Sequence, residues 1–144
     1  MQIKANEWVL DSGCTNHMTG DKNLLMDAPL SPSHLKHIIF ADKGKSQVLG
    51  LGKVAISKDR HMDKVMLVES LGYNLMSVSM LCDLDMVVVF GKYCCVVIMD
   101  ADNSKVFEGF RRGDLYIVDF STVPQPDVCL LAKALKGWLW HRRL

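Results

Sequence analysis

The sequence has almost no excess of either charge: 17 Lys and Arg stand against 16 Asp and Glu, for a formal net charge of +1. A protein that holds nucleic acid by neutralising phosphates needs a clear basic surplus, so a dedicated nucleic-acid binder is not expected. No run approaches the roughly 20 uninterrupted apolar residues of a membrane span. The opening stretch, Met1 to Glu7, lacks the apolar region of a secretory signal. No membrane partner and a cytoplasmic setting are therefore expected. The five cysteines (Cys14, Cys82, Cys94, Cys95, Cys129) are an odd number without a Cys-x-x-Cys pair, which suits a reducing compartment with mostly buried thiols. Disorder is excluded by the 49% apolar content. A chain of this length buries about 68–70% of its unfolded surface. It can form one domain, or a smaller domain with a trailing segment, without metal or disulfide. The nine methionines read as fillers of core gaps rather than a cofactor site, and no cofactor is expected.

What is present is a series of short apolar, β-branched runs: Trp8–Leu10, His37–Phe40, Val65–Val68, Met86–Phe90, Cys95–Met99 and Leu115–Val118. Turn-forming residues separate them at 42–44, 91–93, 100–103 and 112–114. Many short strands at this spacing predict a mainly β barrel or sandwich. Ser77–Asp83 differs and predicts one short helix with Ser77 as N-cap. Past Phe120, Ser121–Asp127 reads as a linker, because Pro124 and Pro126 cannot donate to a ladder. Val128–Leu139, rich in Ala, Leu and Lys, predicts a terminal helix.

Trp8-Val9-Leu10-Asp11-Ser12-Gly13 puts a carboxylate at the end of an apolar strand, followed by a hydroxyl and a glycine. Aspartic proteolysis uses that arrangement. Two apposed carboxylates cannot both ionise and so share a proton. The ionised one takes a proton from water, which attacks the peptide carbonyl, and the protonated one hydrogen-bonds the oxygen as charge develops. The bare triplet more often marks a surface turn, since all three residues are turn formers.

The longer string Trp8-Val-Leu-Asp11-Ser-Gly-Cys-Thr-Asn-His17-Met18 resembles the protease start of copia-type retrotransposon polyproteins. Four further matches follow in order. They are Val48-Leu-Gly50-Leu-Gly52-Lys-Val54, then Val65–Val68 with Asn74–Leu81, then Phe107-x-Gly109-x-Arg111-x-Gly113-x-Leu115-Tyr116, and last Leu139–Leu144, similar to the opening of the gag-pre-integrase segment. The resemblance implies a retropepsin-like acid-protease β-barrel over 1–90, a β-hairpin extension over 91–120, and a linker with the start of the gag-pre-integrase helix over 121–144. It implies Asp11, Ser12 and Gly13 as the catalytic loop. Val48, Leu49, Gly50, Leu51 and Gly52 become a substrate-covering flap whose glycines let the tip bend, and Leu75, Met76 and Ser77 support the active site. It also implies that Met86–Phe90 enters a dimer sheet.

Only one Asp-Ser-Gly occurs, so a dyad requires a twofold homodimer, with polyprotein as the peptide substrate, inside a cytoplasmic virus-like particle. His141 resembles the first ligand of an integrase zinc site. A structural zinc needs about four ligands, and the sequence given closes at Leu144, so no zinc is expected here. His17 reads as a structural histidine beside the loop, Cys14 as a packed apolar group, and Asp83 and Asp85 as solvent-facing charges. The basic tail (Lys133, Lys136, His141, Arg142, Arg143) reads as a face of the terminal helix, with nucleic-acid contact the minority reading. Two other functions stay open: a non-catalytic, retrotransposon-derived module that binds a protein partner, and an adaptor beside integrase.

Overall fold

Ten strands and one α-helix follow one another in a computed structural model that describes residues 2–26, 37–40 and 44–121. The strands are β1 (Glu7–Asp11), β2 (Met18–Thr19), β3 (His37–Phe40), β4 (Gly44–Ala55), β5 (His61–Val68), β6 (Asn74–Ser77), β7 (Met86–Phe90), β8 (Cys94–Met99), β9 (Lys105–Arg112) and β10 (Leu115–Asp119). The helix α1 spans Val78–Asp83, and a 3₁₀ turn spans Lys22–Leu24. The expected mainly β class with a single short helix is what forms. The linker over Ser121–Asp127, apart from Ser121 itself, the helix over Val128–Leu139 and the basic tail lie outside the described residues.

The strand order is β3-β4-β5-β2-β6-β1-β10-β9-β8-β7. β1 sits near the middle, parallel to β6 and antiparallel to β10. That position explains its unbroken apolar run, since a strand covered on both faces need not alternate. Trp8 and Leu10 enter one core cluster and Val9 enters another. The first cluster joins Val54 and Met62, from the β4–β5 side, to Cys95, Val97 and Phe107, from the β8–β9 side. The sheet therefore curls on itself until distant strands share a core, although it does not close: β3 and β7 remain its two ends.

Residues 91–120 form more than a hairpin. The turns at Asn103 (φ 61°) and Gly113 (φ 62°) divide the segment into β8, β9 and β10, and β10 returns to pair with β1 through Glu7↔Asp119, Trp8↔Val118 and Val9↔Ile117. The second turn is enough to bring the last strand back to the sheet centre. Gly109 makes this close layering possible. A methyl group there would collide with the Ile117 carbonyl oxygen and lie 2.9 Å from Cys95 Sγ. Gly109→Ala is expected to destabilise the fold by about 2 kcal/mol, measured as a lower urea midpoint at unchanged slope.

Among the cysteines, Cys14 and Cys95 are buried free thiols and Cys82 is an exposed one. Cys94 is disulfide-bonded, an exception to the expectation of mostly buried thiols. Neighbouring strand residues point to opposite faces. Cys95 is sealed in the core, where burial pushes its thiol up to about 11, while half-buried Cys94 lies on the opposite face of β8.

Candidate active site

Asp11 closes β1 at its pairing with Ser77, the last residue of β6. The chain then turns sharply. The Gly13 amide donates to Asp11 Oδ1 at 2.8 Å, and the Cys14 amide approaches the Asp11 carbonyl at 3.4 Å. A Cβ on Gly13 would stand 3.3 Å from that same carboxylate oxygen, a tight contact. Ser12 and Gly13 are exposed and Asp11 is half-buried, so the loop is open to solvent. β10 covers only the Glu7–Val9 half of β1 and leaves this end clear.

Beneath the loop the polar groups are fully engaged. Ser77 is completely buried. Its hydroxyl donates to the Cys14 carbonyl at 2.7 Å and lies 3.0 Å from Ser79 Oγ. It also accepts the Met80 amide at 3.3 Å as N-cap of α1. The Ser77 amide donates to His17 Nδ1 at 2.9 Å. His17 is 1% exposed, and burial lowers its pKa to about 4. Leu75 and Met76 follow from the register, pairing with Val9 and Leu10 and packing into the two core clusters on opposite faces. Cys14 is buried with its Sγ 2.9 Å from the Asn16 carbonyl, and burial, with a smaller push from the Asp11 charge, raises its pKa. It packs as an apolar group. Asp83 and Asp85 are exposed.

The segment Val48–Gly52, expected in the strands of a flap hairpin, lies within a β-hairpin. It runs through the middle of β4 against β5, and the turn of that hairpin is Ile56–Arg60, where the Ile56 and Ser57 amides both donate to the Arg60 carbonyl. Gly50 and Gly52 lie at the two irregularities in the ladder, between Val48 and Gly50 and between Gly52 and Val54. A glycine inside a strand signals a bulge or a close approach as readily as a turn. At Gly52 it is both, because an added Cβ would press on the Leu25 side chain at 3.0 Å. Val48 is buried in the cluster that holds Val9 and Cys14, Leu51 is half-buried, and Leu49 is exposed. In the sheet order β5, β2 and β6 separate this segment from β1.

Two buttresses escaped the sequence reading. Asn74 Oδ1 accepts the Thr19 hydroxyl at 2.6 Å, and Asn74 Nδ2 donates to the carbonyls of Ala5 (2.7 Å) and Glu7 (2.9 Å). This buried amide fixes β6 to the start of β1. Asn74→Ala is expected to cost about 2 kcal/mol, because it strands buried partners, and equilibrium denaturation would show it. A polar residue opening the apolar β6 run was the available signal. The second buttress is Glu7, buried and held by Arg112 through two bonds of 2.7 and 2.8 Å. The Arg112 guanidinium lowers the Glu7 pKa to about 2. With the partners 105 positions apart, no local pattern reveals the pair.

Among the described residues no group of three or more His, Cys, Asp or Glu is arranged to hold a metal. The site is thus a half-buried carboxylate at the end of a central strand of a curled β-sheet, held by the Gly13 amide, in a loop whose Cys14 carbonyl accepts the hydroxyl of Ser77, which in turn donates its amide to a neutral histidine. Residues 8–86 match the family described as Pol polyprotein, beta-barrel domain, and the chain belongs to that family. It is also similar to the Retrovirus-related Pol polyprotein from transposon RE2 of Arabidopsis thaliana, at 33% identity over 148 aligned positions that take in 97% of this chain and 10% of the relative. The chain spans about a tenth of that relative's length. No solved structure matches it. β8–β10 fall beyond the matched family span, yet they hydrogen-bond into the same sheet through β10 and β1.

Proposed function

We propose that the chain is an aspartic endopeptidase of the retropepsin type, which cuts retrotransposon polyprotein as a homodimer. The observation that carries this reading is the Asp11 loop: an accessible carboxylate with one oxygen held by the Gly13 amide, anchored through Cys14 to buried Ser77. With Oδ1 fixed, Oδ2 is left for a water or for a second carboxylate. A twofold mate would supply that carboxylate. One aspartate then draws a proton from the bound water, and the other donates to the peptide carbonyl oxygen as the tetrahedral intermediate forms.

The requirement for a mate follows from there being one Asp-Ser-Gly in the sequence. β7 supports it as well. This end strand pairs with β8 alone among the described residues, and its second edge can accept a strand from another copy. Polyprotein is the natural substrate class for a segment whose relative is named a Pol polyprotein. The resemblance of 139–144 to the opening of the gag-pre-integrase segment supports a protease adjoining that segment.

The test is to incubate the purified chain with a peptide library at mildly acid pH, identify products by mass spectrometry, and measure mass by sedimentation. Cleavage by a dimer is expected, with none from Asp11→Asn. Cleavage that survives the substitution, or that comes from a strict monomer, would overturn the mechanism. A folded dimer without activity would point to the non-catalytic binding module instead.

A further inference from the structure

His17 belongs to neither the Asp-Ser-Gly triplet nor the pair of core clusters, yet it is one of the few fully buried polar side chains of the fold. It is tied to three elements at once. Its carbonyl accepts the Met66 amide of β5 at 2.9 Å, its backbone N–H points at Met80 Sδ of α1 at 3.3 Å, and its Nδ1 accepts the Ser77 amide at the β6–α1 junction at 2.9 Å. An imidazole that accepts at Nδ1 carries its proton on Nε2. The Ser77 amide lies where β6 gives way to helix and no longer has a strand carbonyl to receive it. A buried amide without an acceptor is costly, so the ring substitutes for a ladder partner. Ser77 is also the residue whose hydroxyl holds the Cys14 carbonyl, and Cys14 closes the loop that begins at Asp11.

We propose that His17 is a positioning residue for the Asp11 carboxylate: as a neutral acceptor for the Ser77 amide, it fixes the platform to which the Asp11–Cys14 loop is hydrogen-bonded. Its effect on catalysis rests on the peptidase reading, but its effect on the loop does not. The two can therefore fail separately.

The experiment compares His17→Asn, whose side-chain oxygen can take the place of Nδ1, with His17→Leu, of similar shape and without an acceptor. In His17→Leu, hydrogen exchange at the Ser77 and Gly13 amides is expected to accelerate relative to amides of β8, and kcat to fall about 10²-fold with little change in KM, as a misplaced catalytic group does. His17→Asn is expected to restore most of both. Unchanged exchange and kcat in His17→Leu, or loss in His17→Asn equal to that in His17→Leu, would overturn the proposal. If neither protein cleaves peptide, the exchange comparison still decides the positioning role. Nitrogen NMR of the wild-type imidazole provides a check that needs no variant. A proton on Nε2 and a hydrogen-bond coupling between Nδ1 and the Ser77 amide are expected, whereas a proton on Nδ1 would overturn the assignment even if His17→Leu fails to fold.

Discussion

Asp11→Asn is expected to lower peptide cleavage by about 10⁴-fold, the upper range for loss of general acid–base catalysis, and to leave the fold intact. The asparagine oxygen can still accept the Gly13 amide that now reaches Asp11 Oδ1 at 2.8 Å, so the loop keeps its shape and loses only its ionisable group. Titrating the inactive variant into wild type at constant total protein turns this into a test of the dyad. If a site needs Asp11 from both subunits, a mixed dimer is dead, and activity falls as the square of the wild-type fraction, to about a quarter at equal mixing once subunits have exchanged. A site completed within one chain would fall linearly, to about half. The linear result would remove the twofold dyad even if Asp11 itself proved essential.

The Asp11 turn was legible because the residues that form it are contiguous. Trp8–Leu10 announces a strand covered on both faces, and Asp11 and Gly13 supply the acceptor and the amide that close the turn. The helix was legible for the same reason, with Ser77 capping it as its position before Val78–Asp83 predicts. What lay hidden depends on long-range pairing. Nothing local to Leu115–Asp119 says that it returns to β1, and nothing local to Arg112 says that it meets Glu7. For Val48–Gly52 the role of the glycines was left open for a different reason. A glycine pair between β-branched residues is compatible with a bending tip or with bulges, and the choice is made by β5 and Leu25, which the local pattern does not contain. His17 was assigned a structural role from its neighbourhood in sequence. Its bond to Ser77, 60 residues away, turns that general role into a specific one.

Acid is expected to weaken the fold in two steps that belong to two different residues. His17 is neutral in the folded protein, with its pKa lowered from 6.5 to about 4 by burial. The unfolded chain therefore binds a proton between those values that the folded chain refuses. Stability falls as pH drops below about 6.5, and the loss is complete near 4, at about 3 kcal/mol by proton linkage. Glu7 acts lower on the scale. Its pKa is lowered from 4.5 to about 2, chiefly by the hydrogen bond from Arg112, so the stability of that ion pair is present above 4.5 and is lost as pH falls through about 2. Urea midpoints measured from pH 7 to pH 2 should show both limbs. His17→Asn should flatten the upper limb and leave the lower one, and Glu7→Gln should do the reverse. An upper limb of unchanged slope in His17→Asn would mean that the buried imidazole is not the group responsible. The upper limb overlaps the mildly acid range in which a shared-proton carboxylate pair works, so the conditions that favour the proposed chemistry also load the histidine beneath it. Assembly into a dimer, which favours the folded state by mass action, would offset that loss, and urea midpoints should therefore rise with protein concentration at every pH while the upper limb keeps its slope.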